Sequence, residues 1–542
     1  MKRIRKMAAS AAITFGTFAM AWMVSAESIV AETTQQQKQQ EGKKGQGKGQ
    51  GQGKGQGQGK GQGQGKGQNQ DPSRKKGQGK QNNGGNQEKA KGKQGPKHVF
   101  AGDAPKHDYD IILTRPTDQS ITLSILGYRE GKAKVSYKAE GQTDSLKAEE
   151  VDLKPEQPGE IVINGLLPST KYEYTIATKF GADAEFKSAE PQSFYTQRKP
   201  GSGFTFAVQA DSHLDQATNP ATYEVTLANI NKADPDLFID LGDTFMTDKY
   251  DNYRDARPQY FAQRYYFGLV GKSTPVFLTL GNHDGERMER GGGGGETMSV
   301  WSNQLRTKLF PNPLPGGFYT GNEKEMPPLG KLQNYFEWKW GDAQFIVLDP
   351  FWYTERRGRG DGGGNWARTL GEDQYRWLEK VLNESKSKYK FVFIHHLVGG
   401  LDSSARGGSE AAAMYEWGGL GEMNMEEFRK FRPGWSMPIH QLLVKNKVSA
   451  VFHGHDHFFA RQELDGVIYM LVPQPGHSGG ADRVRSTEEY GYKSGVFLPP
   501  AGYIRVQVEP AEATIDYVRT YLPQNETGTR KNGMISDTVK IK

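Results

Sequence analysis

Aspartate, asparagine and histidine residues stand at or just beyond the ends of five apolar stretches, where they could bind metal ions. The stretches end in ADSH, GDTF, GNHD, FIHH and GHDH. Their ligand-type residues are Asp211, His213, Asp243, Asn282, His283, His395, His455 and His457. Oxygen and imidazole donors without a thiolate suit borderline divalent metals such as Zn, Mn or Fe. The chain has no cysteine, so any metal site must use these donor types.

Continuous apolar runs precede these residues, for example FTFAVQ before Asp211 and KFVFI before His395. Such runs are typical of buried strands, and the amphipathic stretches between them indicate helices. The clearest helix, LGEDQYRWLEKVLNES, places Leu378, Val381 and Leu382 on one face. We therefore expect an α/β fold with two sheets flanked by helices. Open α/β sheets gather their sites at the carboxyl ends of strands, which is where the ligand-type residues stand.

Taken together, D-x-H, G-D, G-N-H-D, a later histidine and G-H-x-H resemble the motifs of the calcineurin-like metallophosphoesterase family. The resemblance covers about residues 204–520, with the motifs in the family's order. It implies a two-sheet metallophosphoesterase fold and a dinuclear centre whose two ions, divalent or mixed-valence Zn, Mn or Fe, lie about 3.5–4 Å apart. In such a centre a bridging hydroxide attacks phosphorus directly, so no covalent intermediate forms.

The resemblance also implies a role for each residue of these motifs. Asp243 would bridge the two metals. The remaining ligands would be Asp211, His213 and His457 for the first metal, and Asn282, His395 and His455 for the second. His283 would donate a proton to the leaving group, and the adjacent Asp284 is a candidate to orient it. We prefer His395 to His396 as the ligand, because in the family this histidine usually follows the apolar run directly.

One position departs from a related group. Purple acid phosphatases have a tyrosine three residues after the bridging aspartate, and this chain has Met246 there. The iron–tyrosinate colour is therefore not expected. The broader resemblance to calcineurin-like enzymes does not depend on this position.

Three alternative functions fit the sequence less well. Gly476-His477-Ser478-Gly479-Gly480 matches the nucleophile elbow of serine hydrolases, although no histidine follows His477 to complete a triad. The HGHDH stretch is one residue too short for the metallo-β-lactamase pattern. A non-catalytic cell-surface binding protein would require a decayed site, whereas the ligand set is complete.

A region of about 90 residues before the catalytic motifs has a different pattern. Short β-type runs separated by turn residues recur between Tyr109 and Gln197, which predicts a small β-sandwich over residues 107–198. The stretch INGLLPSTKYEYTI resembles a fibronectin type III signature and the N-terminal sandwich of purple acid phosphatases. It contains no histidine and no clustered carboxylates, so no chemistry is assigned to it.

The first 98 residues have the pattern of a signal peptide followed by a low-complexity tail, and they do not predict a folded domain. Residues 1–26 have a basic start, an apolar run and a small-residue end, which is typical of a cleaved signal peptide. Residues 27–98 repeat GQGKGQ and carry 15 Lys and Arg against 5 Asp and Glu, which predicts a disordered basic tail. The whole chain has a net charge of +7, and residues 1–98 account for +14, which leaves −7 for residues 99–542. The tail could contact a polyanion or the cell wall, or act only as a spacer.

These observations predict a secreted or cell-surface hydrolase that cleaves phosphate esters. The catalytic domain is expected over residues 203–520 and a C-terminal tail over residues 521–542. No transmembrane helix is expected in the mature chain. A phosphomonoesterase is the first choice, given the sandwich ahead of the catalytic domain. A phosphodiesterase acting on nucleotides, nucleic acid or phospholipid is the alternative.

Overall fold

The structure is a computed structural model that describes residues 104–147, 150–215, 217–287, 297–354, 364–398, 406–478 and 484–542. The signal peptide predicted over residues 1–26 and the basic tail predicted over 27–98 lie outside the described residues. Among the helices that are described, none is long and apolar enough to cross a membrane.

The first described domain is a β-sandwich, as the turn-separated β-type runs predict. Its strands are β1 (Tyr109–Thr114), β2 (Ser120–Gly127), β3 (Gly131–Ala139), β4 (Leu146–Lys147), β5 (Val151–Leu153), β6 (Gly159–Asn164), β7 (Lys171–Phe180), β8 (Lys187–Ser188) and β9 (Gln192–Tyr195). One sheet has the order β1-β2-β6, and the other has the order β4-β3-β7-β8 with β5 beside β3 and β9 beside β7. Alternate residues such as Leu123, Val135 and Tyr174 face inward and form a separate core.

The remaining strands form two large sheets and one small ribbon. They are β10 (Phe204–Gln209), β11 (Leu237–Asp240), β12 (Val276–Leu278), β13 (Thr320–Gly321), β14 (Glu325–Met326), β15 (Gly330–Lys331), β16 (Phe336–Trp340), β17 (Ala343–Val347), β18 (Tyr389–Phe393), β19 (Ala450–His453), β20 (Phe459–Leu464), β21 (Val467–Leu471), β22 (Val496–Leu498), β23 (Gly502–Val508), β24 (Ala513–Arg519) and β25 (Ile535–Ile541). The six-stranded sheet has the order β12-β11-β10-β23-β24-β25, and the eight-stranded sheet has the order β13-β16-β17-β18-β19-β21-β20-β22.

Helices cover the outer faces of both sheets. They are α1 (Pro220–Lys232), α2 (Tyr253–Gly271), α3 (Met298–Leu309), α4 (Glu372–Glu384), α5 (Gly408–Ala412), α6 (Tyr415–Gly418), α7 (Phe428–Phe431), α8 (Ile439–Lys445) and α9 (Val484–Glu489), with 3-10 turns at Thr247–Lys249, Gly364–Ala367 and Pro523–Asn525. The face of α4 predicted to be apolar, Leu378, Val381 and Leu382, is buried against the eight-stranded sheet. This arrangement confirms the predicted α/β class with two sheets flanked by helices.

The space between the two sheets is filled largely by aromatic side chains. Phe206 of β10 lies 5.0 Å from Phe345 of β17, measured between ring centroids, and 5.2 Å from Phe391 of β18. Edge-to-face and tilted contacts at these distances add to the burial of apolar area. This core fixes the two sheets relative to each other, and with them the strand ends that carry the ligand-type residues.

The C-terminal segment differs from the prediction. Residues 521–542 were expected to form a tail, but β25 pairs antiparallel with β24 at the edge of the six-stranded sheet. The reason is a period-two pattern that is visible in ISDTVKI, which directs Val539 and Ile541 toward the core. Next to it, β23 and β24 pair antiparallel as a hairpin around residues 509–512.

The sandwich contacts the catalytic part through buried polar groups. Arg264 of α2 donates from Nη2 to the carbonyl of Ser124 at 2.8 Å and from Nη1 to the carbonyl of Leu309 at 2.5 Å. The hydroxyl of Tyr174 donates to the carbonyl of Lys272 at 2.5 Å. Because these donors are buried, the contacts would be costly to break, so the sandwich is a fixed support for α2.

Candidate metal centre

The predicted ligand residues all lie at the carboxyl ends of five strands. In the six-stranded sheet, β10, β11 and β12 run parallel and lead to Asp211 and His213, to Asp243, and to Asn282. In the eight-stranded sheet, β18 and β19 run parallel and lead to His395 and to the turn with His455 and His457. The two groups meet, because the peptide nitrogen of His455 donates to both carboxylate oxygens of Asp211, at 3.1 and 2.9 Å.

Asp243 and His395 form the centre of one half of the cluster. His395 Nε2 lies 3.3 Å from Asp243 Oδ2 and 3.0 Å from Asn282 Oδ1. His395 Nδ1 donates to the carbonyl of Leu241 at 2.9 Å, which directs Nε2 to the carboxylate. Potential ligand atoms of Asp243, His395 and His455 all lie within 4.8 Å of one another. This spacing is suitable for a shared metal ion.

The other half of the cluster contains Asp211, His213 and His457. His457 Nε2 lies 3.4 Å from Asp211 Oδ1, and the rings of His213 and His457 are 5.1 Å apart. The peptide nitrogen of His213 donates to the carbonyl of Asp243 at 3.1 Å, which connects the two halves. All seven predicted ligand residues are therefore brought together, although their roles as ligands remain a proposal.

The backbone of the cluster is strained. Asp211, Asp243, His455 and His457 have φ angles of 57, 50, 82 and 67°, in the left-handed region that non-glycine residues seldom occupy. Such conformations cost of order 1–3 kcal/mol each and concentrate at functional sites. The fold therefore maintains four of the seven predicted ligands in conformations that cost stability.

Two glycines are required for the close approach of these strand ends. A Cβ atom at Gly281 would lie 1.9 Å from the peptide nitrogen of Asp243. A Cβ atom at Gly454 would lie 2.8 Å from Asp211 Oδ2 and 2.8 Å from Ala210 Cβ. The glycines of the GNHD and GHDH motifs thus allow neighbouring loops to pack against the carboxylates.

Charge and burial at the cluster suit cations. Burial alone would raise the pKa of the Asp243 carboxyl group. The nearby His395 and His283 stabilise the carboxylate more strongly, so the pKa of Asp243 lies well below its ordinary value. Burial lowers the pKa of His395, but Asp243 outweighs burial and raises it to about 9. His213 is buried, and neither ring nitrogen has an aligned hydrogen-bond partner among the described residues. A metal ion would satisfy such an orphaned nitrogen, so the residues fit a metal centre.

Asp215 lies beside His213, at the edge of the cluster. Its Oδ1 is 3.2 Å from His213 Nδ1, an electrostatic contact that lacks hydrogen-bond alignment, and it accepts from the peptide nitrogen of Ala217 at 2.8 Å. Burial raises the pKa of Asp215, but His213 outweighs it and lowers the pKa to about 2. A carboxylate in this position orients a ligating histidine and increases its basicity.

His283 has a different partner from the one expected. His283 Nδ1 lies 2.8 Å from Asp248 Oδ1, whereas Asp284 accepts from the peptide nitrogens of Gly281, Phe245 and Asp243 at 2.7, 2.7 and 3.1 Å. Asp284 is thus directed into the turn that carries Asp243, because three backbone donors converge on its carboxylate. Asp248, and not Asp284 as expected, therefore contacts the His283 ring, and Asp284 instead supports the loop.

The structure also separates the neighbouring histidines. His395 Nε2 faces Asp243, whereas the ring of His396 packs edge-on against Phe351, with centroids 5.0 Å apart, and lies 5.1 Å from the ring of His455. His453 is the last residue of β19, is buried, and has a pKa that burial lowers to about 4. The preference for His395 over His396 as the ligand remains a prediction.

A pocket of about 230 Å³ opens above the cluster. Its wall includes His283, Met246, Arg406 and Tyr490. Met246 lies at the position where purple acid phosphatases have a tyrosine, so the absence of a tyrosinate colour remains a prediction. Ser478 lies in the loop after β21 and lines a different cavity, of about 570 Å³.

Sequence reasoning missed Asp215, Asp248 and Arg406. Asp215 and Asp248 each follow a predicted ligand within five residues, in DSHLD and DTFMTD, so their proximity in sequence was an available signal. Arg406 lies in a Gly- and Ser-rich stretch between predicted elements, with no periodic pattern to place it. Only the packing of the loops shows that it reaches the pocket.

Comparison with known proteins agrees with these features. Residues 204–459 match the family model of the calcineurin-like phosphoesterases. No curated protein sequence matches the chain. A solved structure of PhoD is similar in fold, with 16% identity and a TM-score of 0.54, over 76% of this chain and 86% of that chain. The purple acid phosphatase PPD1 of yellow lupin (Lupinus luteus) seeds is also similar, with 15% identity and a TM-score of 0.51, over 80% of this chain and 74% of that chain.

Proposed function

We propose that this chain is a metal-dependent phosphoesterase that hydrolyses phosphomonoesters, since residues 204–459 match the family model of the calcineurin-like phosphoesterases. The observation that carries the proposal is the convergence of seven oxygen and imidazole donors beneath one small pocket. The family match contains every one of these donors and ends before Ser478, so a serine hydrolase mechanism has no support from it. A complete donor set likewise argues against a purely structural binding protein.

The seven donors would hold two metal ions, whose identity we leave open among Zn, Mn and Fe. Asp243 would lie between the ions. The other donors would be Asp211, His213 and His457 on one side, and Asn282, His395 and His455 on the other. When bound, the two metal ions would polarise the phosphoryl oxygens and activate water for in-line attack on phosphorus.

The other side chains of the pocket would position the substrate and its proton. His283 Nδ1 is occupied by Asp248, so its Nε2 is the nitrogen free to protonate the leaving oxygen. Its side chain is 25% exposed, which allows contact with a bound ester. Asp215 would keep His213 oriented through the 3.2 Å contact between their side chains.

The pocket favours a small substrate. A volume of about 230 Å³ is below the range of about 300–1,000 Å³ that is typical of sites for drug-sized ligands. A terminal phosphate group needs less space at the metals than a diester with two substituents. We therefore take a monoester as the first choice and keep a phosphodiesterase acting on nucleotides, nucleic acid or phospholipid as the alternative.

A substrate panel tests the proposal. Purified protein would be assayed with p-nitrophenyl phosphate and bis(p-nitrophenyl) phosphate, which release the same leaving group, before and after treatment with a metal chelator. We expect a higher kcat/KM for the monoester and loss of both activities on chelation. A higher kcat/KM for the diester would favour the alternative, and activity that survives complete metal removal would refute both.

We further propose export and a polyanion-binding tail, from sequence alone. Mass spectrometry of the protein recovered outside the producing cell should find a mature N-terminus at residue 27. Deletion of residues 27–98 should weaken binding to an anionic polymer such as polyphosphate at low salt, because the deletion removes a net charge of +10. Retention of residues 1–26, or unchanged binding after the deletion, would contradict the respective part.

A further inference from the structure

Arg406 is the only lysine or arginine among the described residues that line the pocket above the metal cluster. The other lining residues include carboxylates and imidazoles, namely Asp215, Asp243, Asp456, His283 and His457. A phosphate ester is an anion, and a guanidinium forms strong charge-assisted hydrogen bonds to phosphate oxygens. We propose that Arg406 binds a phosphoryl oxygen of the substrate, that Asp456 positions it, and that this contact favours monoesters over diesters.

Asp456 holds the Arg406 side chain in place. Arg406 Nε lies 3.0 Å from Asp456 Oδ1, an ion pair without ideal hydrogen-bond alignment, and the Asp456 side chain is only 1% exposed. The hydroxyl of Tyr492 donates to the second carboxylate oxygen, Asp456 Oδ2, at 2.8 Å. The carboxylate between the two histidines of GHDH is thereby fixed from both sides.

Tyr490 supports the guanidinium from a second direction. The Arg406 guanidinium carbon lies 4.3 Å from the centroid of the Tyr490 ring. The peptide nitrogen of Arg406 donates to the carbonyl of Tyr490 at 3.2 Å. A stacked, ion-paired arginine loses less conformational freedom when it binds an anion than an unrestrained one does.

The outer edge of the guanidinium reaches the metal cluster. Arg406 Nη2 lies 2.6 Å from His455 Nε2 and donates to it. A neutral imidazole has one lone-pair nitrogen, and its other nitrogen carries a proton. If His455 binds a metal through either nitrogen, Nε2 is metal-bound or protonated, so Arg406 loses this acceptor in both cases. The guanidinium would then have unpaired donors that face the pocket.

The charge of the substrate determines whether Arg406 binds a monoester more tightly than a diester. A monoester dianion has one more charged oxygen than a diester, where an uncharged ester oxygen takes its place. A hydrogen bond to a charged group is stronger than one to a neutral group, and its loss is expected to cost about 10- to 100-fold in binding. Loss of Arg406 should therefore reduce monoester hydrolysis more than diester hydrolysis. This inference rests on the phosphoesterase function proposed above.

A structural role for Arg406 is the competing explanation. The ion pair with Asp456 could serve only to fold the loop before α5. In that case, removal of Arg406 should lower stability or metal content and reduce both activities by one factor. Arg461 offers a matched control, since its Nε pairs with Asp537 Oδ2 at 2.6 Å and its side chain is 28% exposed, against 23% for Arg406.

The test compares Arg406→Gln, Arg406→Lys, Asp456→Asn and the control Arg461→Gln with the wild type. For each protein, metal content is measured by mass spectrometry, the Kd of inorganic phosphate by calorimetry, and kcat/KM with p-nitrophenyl phosphate and bis(p-nitrophenyl) phosphate. For Arg406→Gln we expect unchanged metal content, a 10- to 100-fold weaker phosphate Kd, and a monoester kcat/KM reduced by about the same factor. The diester kcat/KM should fall less than about 3-fold, and Arg461→Gln should match the wild type.

The positioning role of Asp456 has its own readout. Asp456→Asn should raise KM for the monoester more than it lowers kcat, because the cation remains but is less well placed, and Arg406→Lys should recover part of the phosphate affinity. Equal losses for monoester and diester, loss of metal from Arg406→Gln, or an unchanged phosphate Kd would overturn the inference. A wild type without monoesterase activity would refute the proposed function itself, and the phosphate Kd would still decide whether Arg406 binds the anion.

Discussion

His283 Nδ1 and Asp248 Oδ1 lie 2.8 Å apart at the wall of the metal pocket. The pairing fixes the tautomer and direction of the imidazole, as carboxylates do for histidines that transfer protons. Asp284, the next residue in sequence, does not contact the His283 ring and accepts hydrogen bonds from the backbone of the Asp243 loop instead.

The loss of kcat in Asp248→Asn should depend on how readily the leaving group departs without a proton. An oriented general acid contributes about 10²–10⁴-fold where the leaving oxygen needs a proton, and much less for p-nitrophenolate, which leaves readily as an anion. We expect kcat for an alkyl phosphate to fall by about 10- to 100-fold and kcat for p-nitrophenyl phosphate by less than about 5-fold. Equal losses for the two substrates would indicate that Asp248 does not act through His283.

Neighbouring histidines should differ in their effect on metal content. His395→Ala removes the side chain that lies 3.3 Å from Asp243 Oδ2 and should reduce bound metal to one ion or fewer per chain. His396→Ala and His453→Ala serve as matched controls, because both histidines are buried at the carboxyl ends of β18 and β19 and neither belongs to the predicted ligand set. Metal analysis of the three variants is the measurement. Loss of metal from His453→Ala with full retention in His395→Ala would reverse the assignment.

Asp349 should make stability depend on pH. Burial raises the pKa of Asp349 to about 6, above the ordinary value of 3.8, so the folded protein binds a proton that the unfolded chain has released. The stability that this proton contributes is present below about pH 4 and is lost as the pH rises to about 6. Urea unfolding of the metal-free wild type and of Asp349→Asn should therefore show a difference that changes by about 2–3 kcal/mol between pH 4 and pH 7. A constant difference would mean that Asp349 ionises normally.

The order of motifs was enough to predict the catalytic fold and to select the clustered residues. Ligand-type side chains at strand ends are a local signal, and the parallel pairing of β10 with β11 and of β18 with β19 then brings them together. The edge strand β25 was missed because its single apolar face, with Val539 and Ile541, is short and solvent-flanked. A period-two pattern this short does not by itself distinguish a strand from a tail, because the strand is stabilised by the sheet that it joins.

Residues that support the site were harder to predict than residues that form it. Asp248, Arg406 and Asp456 are placed by contacts between loops, whose geometry depends on tertiary packing and not on local periodicity. Asp456, which stands between the two histidines of GHDH, pairs with Arg406 across 50 residues of sequence. Sequence spacing identifies donors that share a strand end, whereas a partner from a distant loop leaves no comparable pattern.

The most direct measurement is the metal content of Asp243→Asn, determined together with its activity on p-nitrophenyl phosphate. Wild-type protein should contain two metal ions per chain. The variant keeps the size of the side chain but removes the charge proposed to lie between the ions, so it should retain no more than one ion and lose at least about 10²-fold in kcat. Two retained ions with full activity in Asp243→Asn would contradict a dinuclear centre that is bridged by this residue.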